Sequence, residues 1–340
     1  SVTAGAGSGK TKVLTCRIAR LLEIGTDPYR ILAITFTNKA AKEMRERVQN
    51  LVGVAAERIW LSTFHSFCAK LLRFEIDGFL GYTKNFTIYD SSDQVTLMKS
   101  CLKELNLDDK QFPPRTVLGT VSSAKNALLR ADEFAKSADD FYTLKVSEAY
   151  TLYEKKLKDN NAVDFDDLLL LAVKLLQERQ DIREKYQERF RYILVDEYQD
   201  TNKAQYLLTQ ILAAKWRNIC VVGDADQSIY AWRGADIQNI MDFMHDYPDG
   251  TNVKLEQNYR STKTVLQAAN AVIDNNEARL KKALWTENPQ GHKIVHYHAQ
   301  TEHDEADYIA GVIYNRHSIE NEPYGHMAIL FRTNSQSRVL

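Results

Sequence analysis

Eight residues near the start of the chain, AGAGSGKT from Ala4 to Thr11, constrain the fold more than any other segment. Gly5, Gly7 and Gly9 alternate with the small residues Ala4, Ala6 and Ser8, and Lys10 and Thr11 follow. A loop this rich in glycine lets successive backbone N–H groups wrap a phosphate, and a helix starting at its end turns its positive pole onto the same anion. Lys10 is placed to pair with outer phosphates, and Thr11 to hold Mg²⁺ through its hydroxyl. The general pattern carries glycine at its first position, where this chain has Ala4, so the segment alone is also compatible with a glycine-rich turn beside a lysine. Only three residues precede Ala4. A strand feeding such a loop usually runs about 5–6 residues, so part of the first strand is expected to precede Ser1.

Three short apolar runs stand out: ILAIT (Ile31–Thr35), YILV (Tyr192–Val195) and ICVV (Ile219–Val222). Each is followed by polar loop residues and then by a helical pattern. Such alternation predicts an α/β fold, a parallel sheet with helices on both faces and its polar residues at the carboxyl ends of the strands. Residues 86–163 differ: they are helix-rich and polar, broken at Pro113-Pro114, and read as a helical insertion subdomain. The flanking residues 1–85 and 164–255 would then form one α/β domain. Residues 256–340 would begin a second α/β domain, with strands near Lys293–Tyr297 and Met327–Phe331 but too few elements to close it.

Composition adds mainly exclusions. A net charge of −1 neither points to nucleic acid nor argues against it, because phosphate binding needs a local basic groove rather than a basic chain. The four cysteines form no CxxC pair and no HExxH occurs, so metal-ligand spacing is absent. His292, His296, His298 and His303 read as solvated. Scattered thiols suit a reducing cytosol, and cytoplasmic localisation is expected. No apolar run approaches the roughly 20 residues of a membrane span.

Four further segments carry candidate chemistry. DEYQD (Asp196–Asp200) follows YILV directly, which suits Asp196 to a metal and Glu197 to an attacking water; taken alone it also reads as a solvated acidic loop. GDADQSIYAWRGAD (Gly223–Asp236) offers Gln227 as a sensor of an outer phosphate. It also sets Tyr230 and Trp232 beside Arg233, the ingredients of a base-stacking platform; alone, Trp232 reads at least as well as core packing. LEQNYRST (Leu255–Thr262) offers Arg260 for charge stabilisation across a cleft and Tyr259 for stacking on adenine. ITFTNKAAKEM (Ile34–Met44) and TFHSFC (Thr63–Cys68) present Phe36, Thr37, Asn38, Thr63 and His65, which could contact a nucleic-acid backbone or simply cap the helices that follow.

Taken in order, AGAGSGKT, ITFTNKAA, TFHSFC, FDDLL (Phe165–Leu169), VDEYQD, GDADQSIYAWRGAD, QNYRS and FRTNSQSR resemble successive motifs of the superfamily 1A helicases of the UvrD/PcrA/Rep type, over essentially the whole chain. In that family Ala at the first loop position is normal. The resemblance implies a RecA-like P-loop NTPase core with a helical insertion, and the start of a second RecA-like domain. It implies ATP held by Ala4, Gly5, Ala6, Gly7, Ser8, Gly9, Lys10, Thr11, Tyr259 and Arg260. Lys10, Glu197, Gln227 and Arg260 would act in hydrolysis, and Thr11 and Asp196 would hold Mg²⁺. Phe36, Thr37, Asn38, Thr63, His65, Phe165, Tyr230 and Trp232 would contact DNA. The implied activity is an ATP-dependent 3′–5′ helicase acting on single-stranded DNA and duplex junctions in repair or replication. Lys12 stands where close relatives often have Arg, and the family's later motifs, a second cleft arginine among them, do not occur. The alternatives are the motor subunit of a RecB/AddA-like helicase–nuclease and a non-catalytic nucleic-acid clamp liganded by ATP.

Overall fold

The computed structural model describes residues 1–276 and 282–340, apart from the side chain of Arg233, which the sequence sets beside Tyr230 and Trp232. Two compact units result, Ser1–Pro289 and Gln290–Leu340.

In the first unit the strands are β1 (Val2–Ala4), β2 (Ile31–Thr35), β3 (Trp60–Thr63), β4 (Thr87–Ile88), β5 (Ala162–Val163), β6 (Tyr192–Val195), β7 (Ile219–Gly223) and β8 (Val253–Leu255). Six of them form one sheet in the order β3-β2-β6-β7-β1-β8, and every neighbouring pair is parallel. The expected runs ILAIT and YILV coincide with β2 and β6, and ICVV lies within β7. Every residue of β2 is buried, which is why the strand reads as a continuous apolar run rather than an alternating one.

Helices cover both faces. The main ones are α1 (Lys10–Glu23), α2 (Asn38–Val52) and α3 (Phe64–Glu75), then α4 (Ser91–Glu104), α5 (Pro114–Asn126), α6 (Ala131–Ala135) and α7 (Phe141–Asp159), and finally α8 (Phe165–Glu178), α9 (Gln180–Arg189) and α10 (Lys203–Ala213). Alternate residues of β2 separate two cores. Ile31 and Ala33 pack with Leu14 and Ile18 of α1 and with Met44 and Val48 of α2. Leu32 and Ile34 pack with Phe67 and Leu71 of α3, Leu168 of α8 and Leu208 of α10. Each fully buried side chain of this size contributes about 1.5–3 kcal/mol.

Residues between β4 and β5 carry a third core of their own, built from α4, α5 and α7 around Met98, Val117, Val121, Tyr150 and Tyr153. The chain enters and leaves this region through a parallel two-strand ladder, Thr87 opposite Ala162 and Ile88 opposite Val163. Pro114 occupies the first turn of α5, where its missing N–H costs nothing. The Pro113-Pro114 break is therefore a helix start.

After β8 the chain stays with the first sheet. Gln257 bridges to Trp285, and α13 (Lys263–Ile273), the helix that follows the short α11 (Gln238–Met241) and α12 (Phe243–Asp246), buries Leu266. Residues 256–289 thus belong to the first compact unit. The second unit is built on α14 (Glu302–Ser318), with Tyr297 stacked on Tyr308 at 3.9 Å. The strands expected near Lys293–Tyr297 and Met327–Phe331 do not form. A strand exists through its ladder, and neither segment pairs with another among the described residues, leaving Val295 and Leu330 exposed. No helix among the described residues is long and apolar enough to cross a membrane, and no group of histidines, cysteines or carboxylates there could hold a metal by itself.

Candidate functional site

Because the six strands are parallel, their carboxyl ends share one rim of the sheet. AGAGSGKT leaves β1, FTN leaves β2, FHS leaves β3, DEYQD leaves β6, GDADQ leaves β7 and EQNYR leaves β8. Segments far apart in sequence become neighbours there, which is where ligands bind in sheets of this kind.

The glycine loop turns on left-handed backbone at Gly7 (φ 65°) and Gly9 (φ 91°). Gly7 is also closely approached: a Cβ there would lie 2.8 Å from the Arg260 Cβ and the Asn258 Nδ2. Ser8 Oγ donates to Gly5 O at 2.8 Å, fixing the loop from within. Gly9 caps α1, so Lys10 and Thr11 fall in its first turn. Lys10 Nζ lies 3.1 Å from Glu197 Oε2 with its side chain one-tenth exposed, yet the ammonium makes no hydrogen bond. A buried cation whose donors are unsatisfied is suited to an anionic ligand.

Glu197 adopts a left-handed conformation (φ 48°) that non-glycine residues rarely take. Such strain costs about 1–3 kcal/mol and concentrates at functional sites. Here it bends the chain sharply after β6 and brings the carboxylate to Lys10. Asp196 is buried at the strand end; burial, and next the charge of Glu197, push its pKa up to about 6. Asp200 is likewise raised to about 6 by burial and then by Glu197, and its Oδ1 has no hydrogen-bond partner.

Gln199, which the sequence did not single out, joins two of the loops. Its Nε2 donates to Glu197 Oε2 at 2.8 Å, and its Oε1 accepts from the Asp224 N–H at 2.9 Å. Gln227 donates from Nε2 to Asp224 Oδ2 at 2.5 Å, so it connects to the acidic loop through Asp224 and Gln199. Lys282, also unremarked in the sequence, is buried against this loop, paired with Asp224 and, at 3.0 Å, with Asp226.

Asn258 is the third residue missed. Buried at the end of the β8 segment, it donates to Ala6 O at 2.7 Å and accepts from the N–H groups of Arg260 and Ser261. The Tyr259 N–H donates to Gly7 O at 3.0 Å. These bonds set Tyr259 and Arg260, both exposed, directly over the glycine loop. The only sequence signal for Asn258 was its place beside them.

The candidate nucleic-acid residues gather on the same rim. Phe36 packs edge-on against Phe64 at 5.6 Å, and His65 lies 5.7 Å from Phe165. Phe165, Tyr230 and Trp232 are exposed, Trp232 by 69%. Burial lowers the His65 pKa, so its imidazole is neutral at pH 7 and offers one donor and one acceptor. Thr37 and Thr63 are N-caps: their hydroxyls accept from the N–H groups of Ala40 and Ser66.

A parallel sheet of this order with a glycine loop between its first strand and helix defines a RecA-like P-loop domain. Residues 1–248 match the UvrD/REP helicase N-terminal domain, and residues 253–340 match the UvrD-like helicase C-terminal domain. The chain belongs to the UvrD/REP helicase family. It is 54% identical over 338 residues to the ATP-dependent DNA helicase PcrA of Bacillus subtilis (strain 168), covering 99% of this chain and 46% of that protein. Against the protein of the same name from Staphylococcus aureus (strain Mu50 / ATCC 700699) it is 54% identical over 340 residues, covering 100% of this chain and 46% of the relative. The chain thus spans about half the length of these relatives.

Proposed function

We propose that this chain is the ATP-binding part of a DNA motor that hydrolyses ATP to move 3′ to 5′ along single-stranded DNA and open duplex junctions, in repair or replication in the cytoplasm. The observation that carries the reading is the buried Lys10 ammonium, free of hydrogen bonds at the end of a left-handed glycine loop, with Glu197 beside it. The 54% identity to proteins named ATP-dependent DNA helicase supports it.

In this reading Lys10 and the loop N–H groups bind the outer phosphates of ATP. Glu197 orients a water and accepts its proton as oxygen attacks the terminal phosphorus and the bond to ADP breaks. Arg260 neutralises charge on the transferring group, with Asn258 positioning it, and Tyr259 stacks on the adenine. Thr11, in the first turn after the glycine loop, and Asp196, buried at the end of β6, supply hard oxygen donors beside the phosphate site; together with phosphate oxygens of the nucleotide they suit a hard divalent cation. Thr11 and Asp196 would hold Mg²⁺, which when bound neutralises phosphate charge. Gln227, through Asp224 and Gln199, ties this chemistry to the loop bearing Tyr230 and Trp232. Those two, with Phe36, Asn38, His65 and Phe165, would line the single-strand path, and Thr37 and Thr63 would orient its loops as caps. The domain division that goes with this reading is residues 1–85 and 164–255 for the first motor domain, 86–163 for the insertion and 256–340 for the start of the second.

The test is ATP hydrolysis with and without single-stranded DNA, on this chain and on a chain completed to the length of its relatives. Strong stimulation of the completed chain and little of this one supports the motor reading. No response of the completed chain to DNA overturns it. A second expectation concerns Trp232→Ala. Losing one stacked base costs about 1–3 kcal/mol, so the variant should bind thymidine oligonucleotides roughly 5- to 150-fold weaker with an unchanged melting temperature. Unchanged affinity would remove Trp232 from the path.

A further inference from the structure

We infer that a cationic cleft along the free edge of β3 is a second anchoring site for the nucleic-acid backbone, extending the single-strand surface past Thr63 and His65; the inference rests on the nucleic-acid reading given above. β3 is the terminal strand of the sheet, at the opposite edge from β1 and β8. A cleft of about 510 Å³ opens along it. Four separate elements each send one cation into it: Arg45 from α2, Arg58 from the turn Gly53–Arg58, Lys70 from α3 and Arg189 from α9. Glu57 is the one carboxylate in the lining, and none of the four cations forms an ion pair among the described residues.

Their positions are fixed by other means. Lys70 Nζ lies 4.4 Å and Arg189 Cζ 4.8 Å from the centre of the Trp60 ring, so an aromatic surface holds both without neutralising either. Arg45 donates to the edge carbonyl of Leu61 at 2.5 Å. The Ser62 hydroxyl in the same lining is buried with no hydrogen-bond partner. Uncompensated guanidinium and ammonium groups beside an unsatisfied hydroxyl form the donor set that takes phosphodiester oxygens. The cleft also runs into the candidate strand surface. Ser66 lines it and accepts a hydrogen bond from Thr63 Oγ1 at 2.9 Å, one residue from His65.

Cations on an edge strand also discourage edge-to-edge pairing. That role is served by charge of either sign and has no use for an unpartnered serine hydroxyl, whereas backbone binding accounts for both the single sign and the hydroxyl.

The experiment compares this chain with its Arg58→Gln/Lys70→Gln variant, by fluorescence anisotropy on thymidine oligonucleotides of increasing length at low and moderate salt. Short strands that fill only the surface from Phe36 to Trp232 should bind both proteins alike. Longer strands should bind the parent chain more tightly, and the variant should lose that gain. Removing two contacts should lower the salt slope on long strands by about 1.4, so a fourfold rise in salt weakens the variant about sevenfold less than the parent. The Arg58→Lys/Lys70→Arg variant should keep the long-strand gain. Equal slopes for parent and glutamine variant at every length overturn the inference. So does new aggregation of the variant with unchanged DNA binding, which would identify edge protection, or binding of an acidic peptide in place of the longer strand. Failure of the parent chain to bind any oligonucleotide would bring down the nucleic-acid reading first, an outcome distinct from equal slopes.

Discussion

Glu197→Gln is expected to lower ATP turnover by about two to four orders of magnitude, the contribution of a positioned general base, while leaving nucleotide binding within a few-fold. The substitution keeps size and an acceptor oxygen, so Gln199 Nε2, which donates to Glu197 Oε2 at 2.8 Å, retains a partner and the loop keeps its shape. What disappears is the carboxylate charge 3.1 Å from Lys10. The ammonium then faces the nucleotide with less competition, so binding should hold or strengthen as hydrolysis stops. Lys10→Ala should do the reverse. It removes the cation, leaves Asp196, Glu197 and Asp200 mutually repelling, and should weaken nucleotide binding itself. Fluorescence titration of nucleotide and single-turnover hydrolysis, run on both variants of a chain completed to its relatives' length, separate the two effects. A loss of turnover below about tenfold in Glu197→Gln, under about 1.4 kcal/mol, would mean that Glu197 does not activate the water. ATP would then be better regarded as a structural ligand of a nucleic-acid clamp.

Much of this site could be read from the sequence because parallel strands write themselves plainly. ILAIT and YILV are buried on both faces, so they appear as unbroken apolar runs ending in polar loops, and those loops hold the candidate residues. What the sequence concealed is what long-range packing creates. Asn258 looks like any polar residue between Gln257 and Tyr259, yet folded it bonds the backbone at Ala6, Arg260 and Ser261. Lys282 is one of two adjacent lysines, and only the fold pairs it with Asp224. The turn after β6 hides a left-handed Glu197 that no propensity favours. The failed strands near Lys293–Tyr297 and Met327–Phe331 show the opposite limit. Their short apolar runs suited strands, but a strand needs a partner to supply the ladder, and composition does not say where that partner is.

The largest stability effect should come from a residue the sequence left unremarked. Lys125→Met is expected to destabilise the protein by about 3–5 kcal/mol near neutral pH, the usual cost of leaving a buried charge without its partner. Lys125 Nζ lies 2.7 Å from both Asp164 and Asp167, and all three side chains are buried. The two aspartates form the capping box that starts α8, and Tyr153 of α7 donates to Asp164 at 3.1 Å. Asp164, just before FDDLL, and Asp167 within it therefore form a clamp with Lys125 between the helical insertion and the sheet domain, and Phe165 rides on it beside His65. Burial raises Asp167 to about 7, reinforced by the charge of Asp164. Burial also opposes ionisation of Asp164, but Lys125 more than offsets it and holds that pKa below its usual value. The signs follow. A carboxyl raised in the folded state favours folding at low pH, so the Asp167 contribution is lost as pH rises from about 4 to about 7. Asp164, lowered, contributes above its ordinary pKa and loses that contribution in acid. With Lys125 gone both carboxyls lose their cation and shift upward, so the gap between parent and variant should be widest near pH 8 and narrow towards pH 5 as protons replace the missing charge. Urea denaturation across that range measures it. A gap below about 1 kcal/mol, or one that does not change with pH, would show that the triad is not held by charge. A wide gap, together with weaker oligonucleotide binding in the folded variant, would show that the clamp also sets Phe165 on the strand path.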